Sequence, residues 1–177
     1  MPLSRLGYFV EFAIFPVLIL ILSGMGLHDV GSGGAARWLG LVAMSLLAWT
    51  FIEYALHRFV FHHVPMIRES HYQHHDHERE LIGTPSWVSL AVYAIVASPF
   101  FAFFSFGTVS AVSVGLMVGY LWYITIHHLT HFAHPDHGSL LYRLKRHHAL
   151  HHHVDPDNNF GVTTPLWDWV FGTLSRR

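Results

Sequence analysis

From Leu81 to Ile126 the chain runs for 46 residues without one charged side chain or histidine. As a single helix this stretch would reach about 69 Å at 1.5 Å per residue, more than twice the ~30 Å hydrocarbon thickness of a bilayer. It has to fold back. Ser105-Phe106-Gly107-Thr108 is the natural hinge and divides the run into helices over 86–105 and 107–126. Two earlier apolar runs have comparable length. The first, 6–27, is broken only by Glu11 and carries Pro16; the second, 38–56, holds Glu53 near its end. Between them His28-Asp29-Val30-Gly31-Ser32-Gly33-Gly34 reads as a glycine-rich turn. Arg5 and Gly24 to Gly26 imitate a cleaved signal peptide weakly, and the first run is longer than a signal core requires.

The whole chain of 177 residues is 52% hydrophobic and 12% charged, against roughly 25% charged in an ordinary soluble domain. Four apolar runs leave too little polar chain to cover them. The expectation is an all-α integral membrane protein, a single domain over 1–177, with four transmembrane helices. A cytoplasmic helical cap would be built from 57–85 and 127–177. Nine of the ten Lys and Arg residues, all but Arg37, lie in the N-terminal tail or those two segments, so the positive-inside rule puts that side and both termini in the cytoplasm. A net charge of −1 offers no field for nucleic acid. With no cysteine there are no disulfides, thiolate zinc sites, cysteine-held iron–sulfur clusters or nucleophilic thiols.

Against that shortage of charge stand 18 histidines, 17 of them on the cytoplasmic side of this topology and His28 opposite. They fall into spaced groups: His57 and His62; His71, His74 and His75; His127 and His131; His148, His151 and His152. Spacings of three and four residues share a helix face, so each of the last three groups is aligned to aim at one point. His57 and His62 are five apart, about 140° around an ideal helix, and bracket the site or serve different metals. Ten imidazoles suggest two metals with five nitrogens each. Imidazole suits iron, zinc, copper or nickel, and a structural zinc is satisfied by four ligands. Five nitrogens and an open position point to a redox metal holding oxygen, with iron the natural choice. A metal store, a pH sensor and a divalent-metal transporter compete with this reading. A transporter would need ligands at mid-membrane depth, and 86–126 has none.

The same residues carry a family resemblance. His57-Arg58-Phe59-Val60-Phe61-His62, His71-x-x-His74-His75, His127-x-x-x-His131 and His148-x-x-His151-His152 resemble the fatty acid hydroxylase/sterol desaturase superfamily, as does the tail from Phe160-Gly161-Val162 through Trp167-Asp168-Trp169 to Leu174. The opening H-x4-H favours the fatty acid hydroxylase branch. The short interval from His62 to His71 is closer to the sterol-desaturase-like relatives. Tyr123-Ile124-Thr125-Ile126 lacks the carboxylate that the hydroxylase branch carries there.

The resemblance implies a dinuclear non-haem iron oxygenase with those ten histidines as ligands, zinc being able to replace iron in purified protein. It would use O2 to hydroxylate, or by a second hydrogen removal desaturate, an unactivated C–H bond of a membrane lipid, most simply a fatty acyl chain. Sterol desaturation and carotenoid hydroxylation are the alternatives within the superfamily. Glu53, one turn before His57, would hydrogen-bond a ligand imidazole or relay protons; Tyr123 and Asp168 are further candidates around the site. Asp76, Glu78, Asp155 and Asp157 read as solvated loop charges or turn formers. Trp87, Trp122, Tyr123, Trp167 and Trp169 line a lipid slot or form an interfacial belt. His63, His77, His134, His137, His147 and His153 stand outside the motifs. No dinucleotide fingerprint or cytochrome b5-like haem segment is present, so a separate ferredoxin or cytochrome b5 type donor with its reductase is expected. Arg143, Lys145, Arg146, Arg176 and Arg177 would form its basic docking patch. Small size and the missing haem segment favour a bacterial inner membrane over the endoplasmic reticulum.

Overall fold

The computed structural model describes residues 2–175; Arg176 and Arg177 of the expected basic patch lie outside them. The elements are α1 (Arg5–Phe9), α2 (Glu11–Ala55), a π-helical turn (Leu56–Phe61), α3 (Pro65–Asp76), α4 (Ser86–Ala97) continued by a 3-10 turn (Ser98–Ala102), α5 (Phe106–Phe132), α6 (Leu140–His153) and α7 (Leu166–Phe171). The described residues contain no strand.

Local chemistry accounts for the boundaries. Ser4 and Ser139 cap α1 and α6 by accepting from the amides of Gly7 (3.0 Å) and Tyr142 (3.1 Å). Pro65 sits in the first turn of α3, where its missing N–H costs nothing. Pro99 stands at the start of the 3-10 turn, so α4 stops at Ala97, short of the expected helix to 105. Two stretches, Arg5–Phe61 and Phe106–Phe132, are long and apolar enough to cross a membrane, and Ser86–Ala102 is a shorter apolar helix.

The described residues divide into two compact units, 2–49 with 83–121, and 50–82 with 122–175. In the first, α2 is interrupted at Gly31, whose φ of 61° lies in the left-handed region. Ile19 and Leu22 before this point pack in the same cluster as Trp38, Leu41 and Val42 after it, around Ala111 and Val114 of α5. On a straight helix Leu22 and Leu41 would be about 28 Å apart, so Gly31 turns the chain back on itself. Gly115 of α5 lets that helix approach the second arm: an added Cβ would run into the Val42 carbonyl and the Ser45 side chain. The Trp38 indole donates to Ser110 Oγ at 3.1 Å, and Tyr120 donates to the buried Glu11 carboxylate at 2.7 Å.

The second unit has a different interior. Its small apolar cluster of Ile126, Leu144 and Val162 lies among buried polar side chains: His57, His62, His74, His131, His148, His151, Glu53, Asn159 and Asp168.

Candidate metal centre

Ten histidines of this unit converge in two groups that could each hold a metal ion. His57, His62, His71, His75 and His151 form group A; His74, His127, His131, His148 and His152 form group B, with ligand atoms inside each group within 4.8 Å of one another. These are the ten residues singled out by spacing. Their assortment differs from expectation in two ways. His57 and His62 neither bracket the site nor separate between groups, because the chain between them is a π-turn. Its i→i+5 hydrogen bonds bring residues five apart onto one face, which an α-helix would not. The H-x-x-H-H triplets also do not aim at one point. His71 and His75 enter group A and His74 group B, while His148 and His152 enter group B and His151 group A. At 100° per residue, positions i and i+4 differ by about 40°, whereas the intervening histidine lies about 60° to the other side. One triplet therefore serves two centres.

The nitrogen spacings suit a shared cation. In group A the Nε2 of His71 lies 3.1 Å from that of His57, 3.0 Å from His62 and 3.0 Å from His75, and His62 Nε2 is 3.2 Å from His151 Nε2. In group B, His127 Nε2 lies 3.0 Å from His74 and 3.2 Å from His131, with His148 3.0 Å from His131. Nitrogens bound to one ion at about 2.1 Å in neighbouring octahedral positions are about 3.0 Å apart. The rings are also turned the right way. The His57 Nδ1–H donates to the Phe160 carbonyl at 2.6 Å and the His151 Nδ1–H to the Asn158 carbonyl at 2.7 Å. In the neutral rings this leaves Nε2 with a bare lone pair pointing at its neighbours, an arrangement that lacks compensation without a cation. Both ring nitrogens of buried His152 are without a hydrogen-bond partner. The donor set fits a metal of imidazole preference, iron or zinc among them.

Burial keeps the rings unprotonated, as ligation requires. It pushes His62 and His74 down to about 4 and, with neighbouring imidazoles adding to it, His75 and His151 down to about 3. Burial and the surrounding imidazoles hold His71, His148 and His152 well below the ordinary value.

The carboxylates act one layer further out than expected. Glu53 does not reach an imidazole. It accepts from the amides of Val162 and Thr163 (both 2.8 Å) and from the Thr163 hydroxyl (2.7 Å). Asp168, 0% exposed, accepts from the amides of Phe160 and Gly161 and the Thr173 hydroxyl (all 2.8 Å), and meets His147 Nε2 at 3.1 Å. Both acids thus hold the tail segment whose carbonyls face His57 and His151. Glu78, read as a solvated charge, lies 3.5 Å from His131 Nδ1 and 3.2 Å from His153 Nε2. The carbonyls of Asn158 and Phe160 and the carboxylate of Glu78 were missed, since neither a backbone acceptor nor an irregular loop leaves a spacing signal.

Tyr123 stacks on His127, ring centroids 5.7 Å apart and 6° from parallel. The Trp167 indole donates to Thr50 Oγ1 at 3.0 Å, whereas Trp87, Trp122 and Trp169 are exposed. Of the remaining histidines, the His63 ring donates to the Arg58 carbonyl (2.8 Å), His137 packs on Tyr142, and His77 and His134 are exposed. Lys145 donates to the Ala133 carbonyl at 2.9 Å, and Arg143 and Arg146 are exposed.

Residues 42–173 match the family model described as fatty acid hydroxylase. The chain is 34% identical over 151 residues to the fatty acid 2-hydroxylase of Mus musculus, covering 77% of this chain and 40% of that one. It is 36% identical over 149 residues to a dihydroceramide fatty acyl 2-hydroxylase of Arabidopsis thaliana, covering 76% and 60%. To the ceramide very long chain fatty acid hydroxylase of Saccharomyces cerevisiae it is 28% identical, covering 97% and 47%. The chain thus spans only part of each relative's length. A solved structure of full-length scs7p, in which only the hydroxylase domain is visible, shares the fold with a TM-score of 0.82 and 24% identity, covering 97% of this chain and 70% of that one.

These relatives correct the expectation of a bacterial inner membrane, since they come from a mammal, a plant and a yeast. The reasons behind it carried no weight. A hydroxylase segment occupying about half of a longer eukaryotic protein looks equally short and equally free of a haem segment. The matched residues take in every histidine of both groups and the tail that backs His57 and His151, and the chain belongs to the fatty acid hydroxylase family.

Proposed function

We propose that this chain is the catalytic membrane domain of an O2-dependent di-iron hydroxylase acting on the acyl chain of a membrane lipid. One observation carries the reading: ten imidazoles in two groups of five, with Nε2 atoms converging at about the separation that ligands of one ion have. His57, His62, His71, His75 and His151 would hold one iron, and His74, His127, His131, His148 and His152 the other. The names of the relatives, fatty acid 2-hydroxylase and ceramide very long chain fatty acid hydroxylase, support an acyl substrate.

The balanced reaction takes R–H, O2, two electrons and two protons to R–OH and water. Bound iron supplies the redox chemistry that activates O2 toward an unactivated C–H bond. The chain supplies the rest. Asn158 and Phe160 carbonyls fix the tautomers of His151 and His57. Burial keeps the ligand rings neutral. Four membrane spans, with Ser86–Ala102 completing the set, would let a lipid enter from the bilayer, and the metal-bearing segments would lie on the cytoplasmic side. The electrons come from a ferredoxin or cytochrome b5 type donor, docked through Arg143, Lys145 and Arg146.

The test is expression of the wild type and His151→Ala with such a donor, followed by mass spectrometry of membrane lipids in air and under nitrogen. A product one oxygen heavier, present in air and lost in the variant, is expected. Unchanged lipids across several donors and hosts overturn the reading, and one or no metal per active chain overturns its dinuclear form.

A further inference from the structure

The two groups of histidines are backed very differently. In group A, His57 and His151 donate to the Phe160 and Asn158 carbonyls, and the segment bearing those carbonyls is itself held by Asp168, through the amides of Phe160 and Gly161. Asp168 is fully buried, and Thr173 and His147 complete its contacts. Only His62 of this group has a buried Nδ1 without a partner. In group B three rings, His74, His148 and His152, have a buried Nδ1 without a partner. The one carboxylate near this group, Glu78, is part-exposed and lies 3.5 Å from His131 Nδ1, beyond good hydrogen-bond range. A cleft of about 180 Å³ lined by Glu78, Arg79, Thr130, His131, Lys145 and His148 reaches group B.

We infer that the two metal positions are unequal, with Asp168 as a positioning residue for group A. Resting on the proposed dinuclear reading, the inference goes past it to an order of binding. Fixed backs hold the lone pairs of His57 and His151 on target before an ion arrives, so group A gains its ion without ordering those rings. Group B must order three rings whose Nδ1 atoms have no hydrogen-bond partner, and its ion is open to a chelator through the cleft. The group A ion binds first and leaves last.

The experiment follows metal release from the purified full chain in detergent, loaded with Zn²⁺ and challenged with excess chelator, with bound zinc counted over time. Two phases of one equivalent each are expected. His152→Ala should retain one equivalent that leaves at the slow rate, and His57→Ala one that leaves at the fast rate. Asp168→Asn should speed the slow phase by roughly 10- to 100-fold, the usual effect of removing a residue that orients a ligand, with the fast phase unchanged. Glu78→Gln should leave the slow phase untouched. A general loss of structure would instead accelerate both phases together. A single phase for both ions, a slow phase that belongs to His57→Ala, or Asp168→Asn acting on the fast phase alone overturns the inference. The histidine variants decide the order even if Asp168→Asn fails to fold. Binding of fewer than two ions by the wild type defeats the dinuclear reading itself, a result distinct from equal release rates.

Discussion

The two units of this chain solve opposite problems with the same kind of element. Around Trp38, Ala111 and Val114 the helices bury apolar side chains against one another, which is favourable in itself. Around His57, His148 and His151 the helices bury many polar ones, beside a small apolar cluster of Ile126, Leu144 and Val162 and the buried rings of Tyr54 and Phe160. Burying imidazoles and carboxylates is unfavourable unless each polar atom is matched. In the histidine unit the matching is done by the tail segment on one side and, on the proposed reading, by metal on the other. A core of this kind is specified by chemistry more than by hydrophobicity, and it should fail under different insults from the apolar unit.

Metal removal should expose this contrast most strongly. Chelation is expected to abolish lipid oxidation and to speed amide exchange in α6 and the 158–164 segment, while amides near Trp38 and Ala111 keep their protection. Equal deprotection in both units would erase the distinction. Next comes Glu53→Ala, which leaves the Val162 and Thr163 amides and the Thr163 hydroxyl without their acceptor. The loss should be roughly 3–5 kcal/mol in thermal or denaturant unfolding, with metal release accelerated as well.

Acid should act on the histidine unit alone when metal is absent. An unfolded imidazole binds its proton below about 6.5, but His62 and His74 in the fold do so only near 4, and His75 and His151 near 3. Between those limits the unfolded state takes up more protons, so stability is full above about 6.5 and falls as the pH drops toward 3–4. Unfolding of the metal-free protein followed across that range checks the sign.

In the apolar unit, Gly115→Leu should cost about 1–3 kcal/mol, because the new side chain meets the Val42 carbonyl and Ser45. The smallest effect is expected from Trp38→Phe, which gives up the bond to Ser110 for about 1 kcal/mol. Neither should alter the bound metal; a change in stoichiometry from either would link the units more closely than their interiors suggest.

The apolar run 81–126, the turn around Gly31 and the identity of all ten converging histidines follow from the chain alone. Composition and spacing are local, and a helix repeats them regularly enough to be read. The resemblance in the tail around Trp167-Asp168-Trp169 was equally legible, as a pattern without a role. The tertiary structure decided which histidine joins which group. That assortment depends on a π-turn between His57 and His62 and on where α3, α5 and α6 face one another, and neither is encoded in a spacing. It also turned Glu53 from a candidate partner of a ligand imidazole, and Asp168 from a candidate without a stated role, into holders of a backbone segment. A carboxylate finds whichever donors folding brings near it, and here those were amides more than a hundred residues from Glu53 and only seven or eight from Asp168.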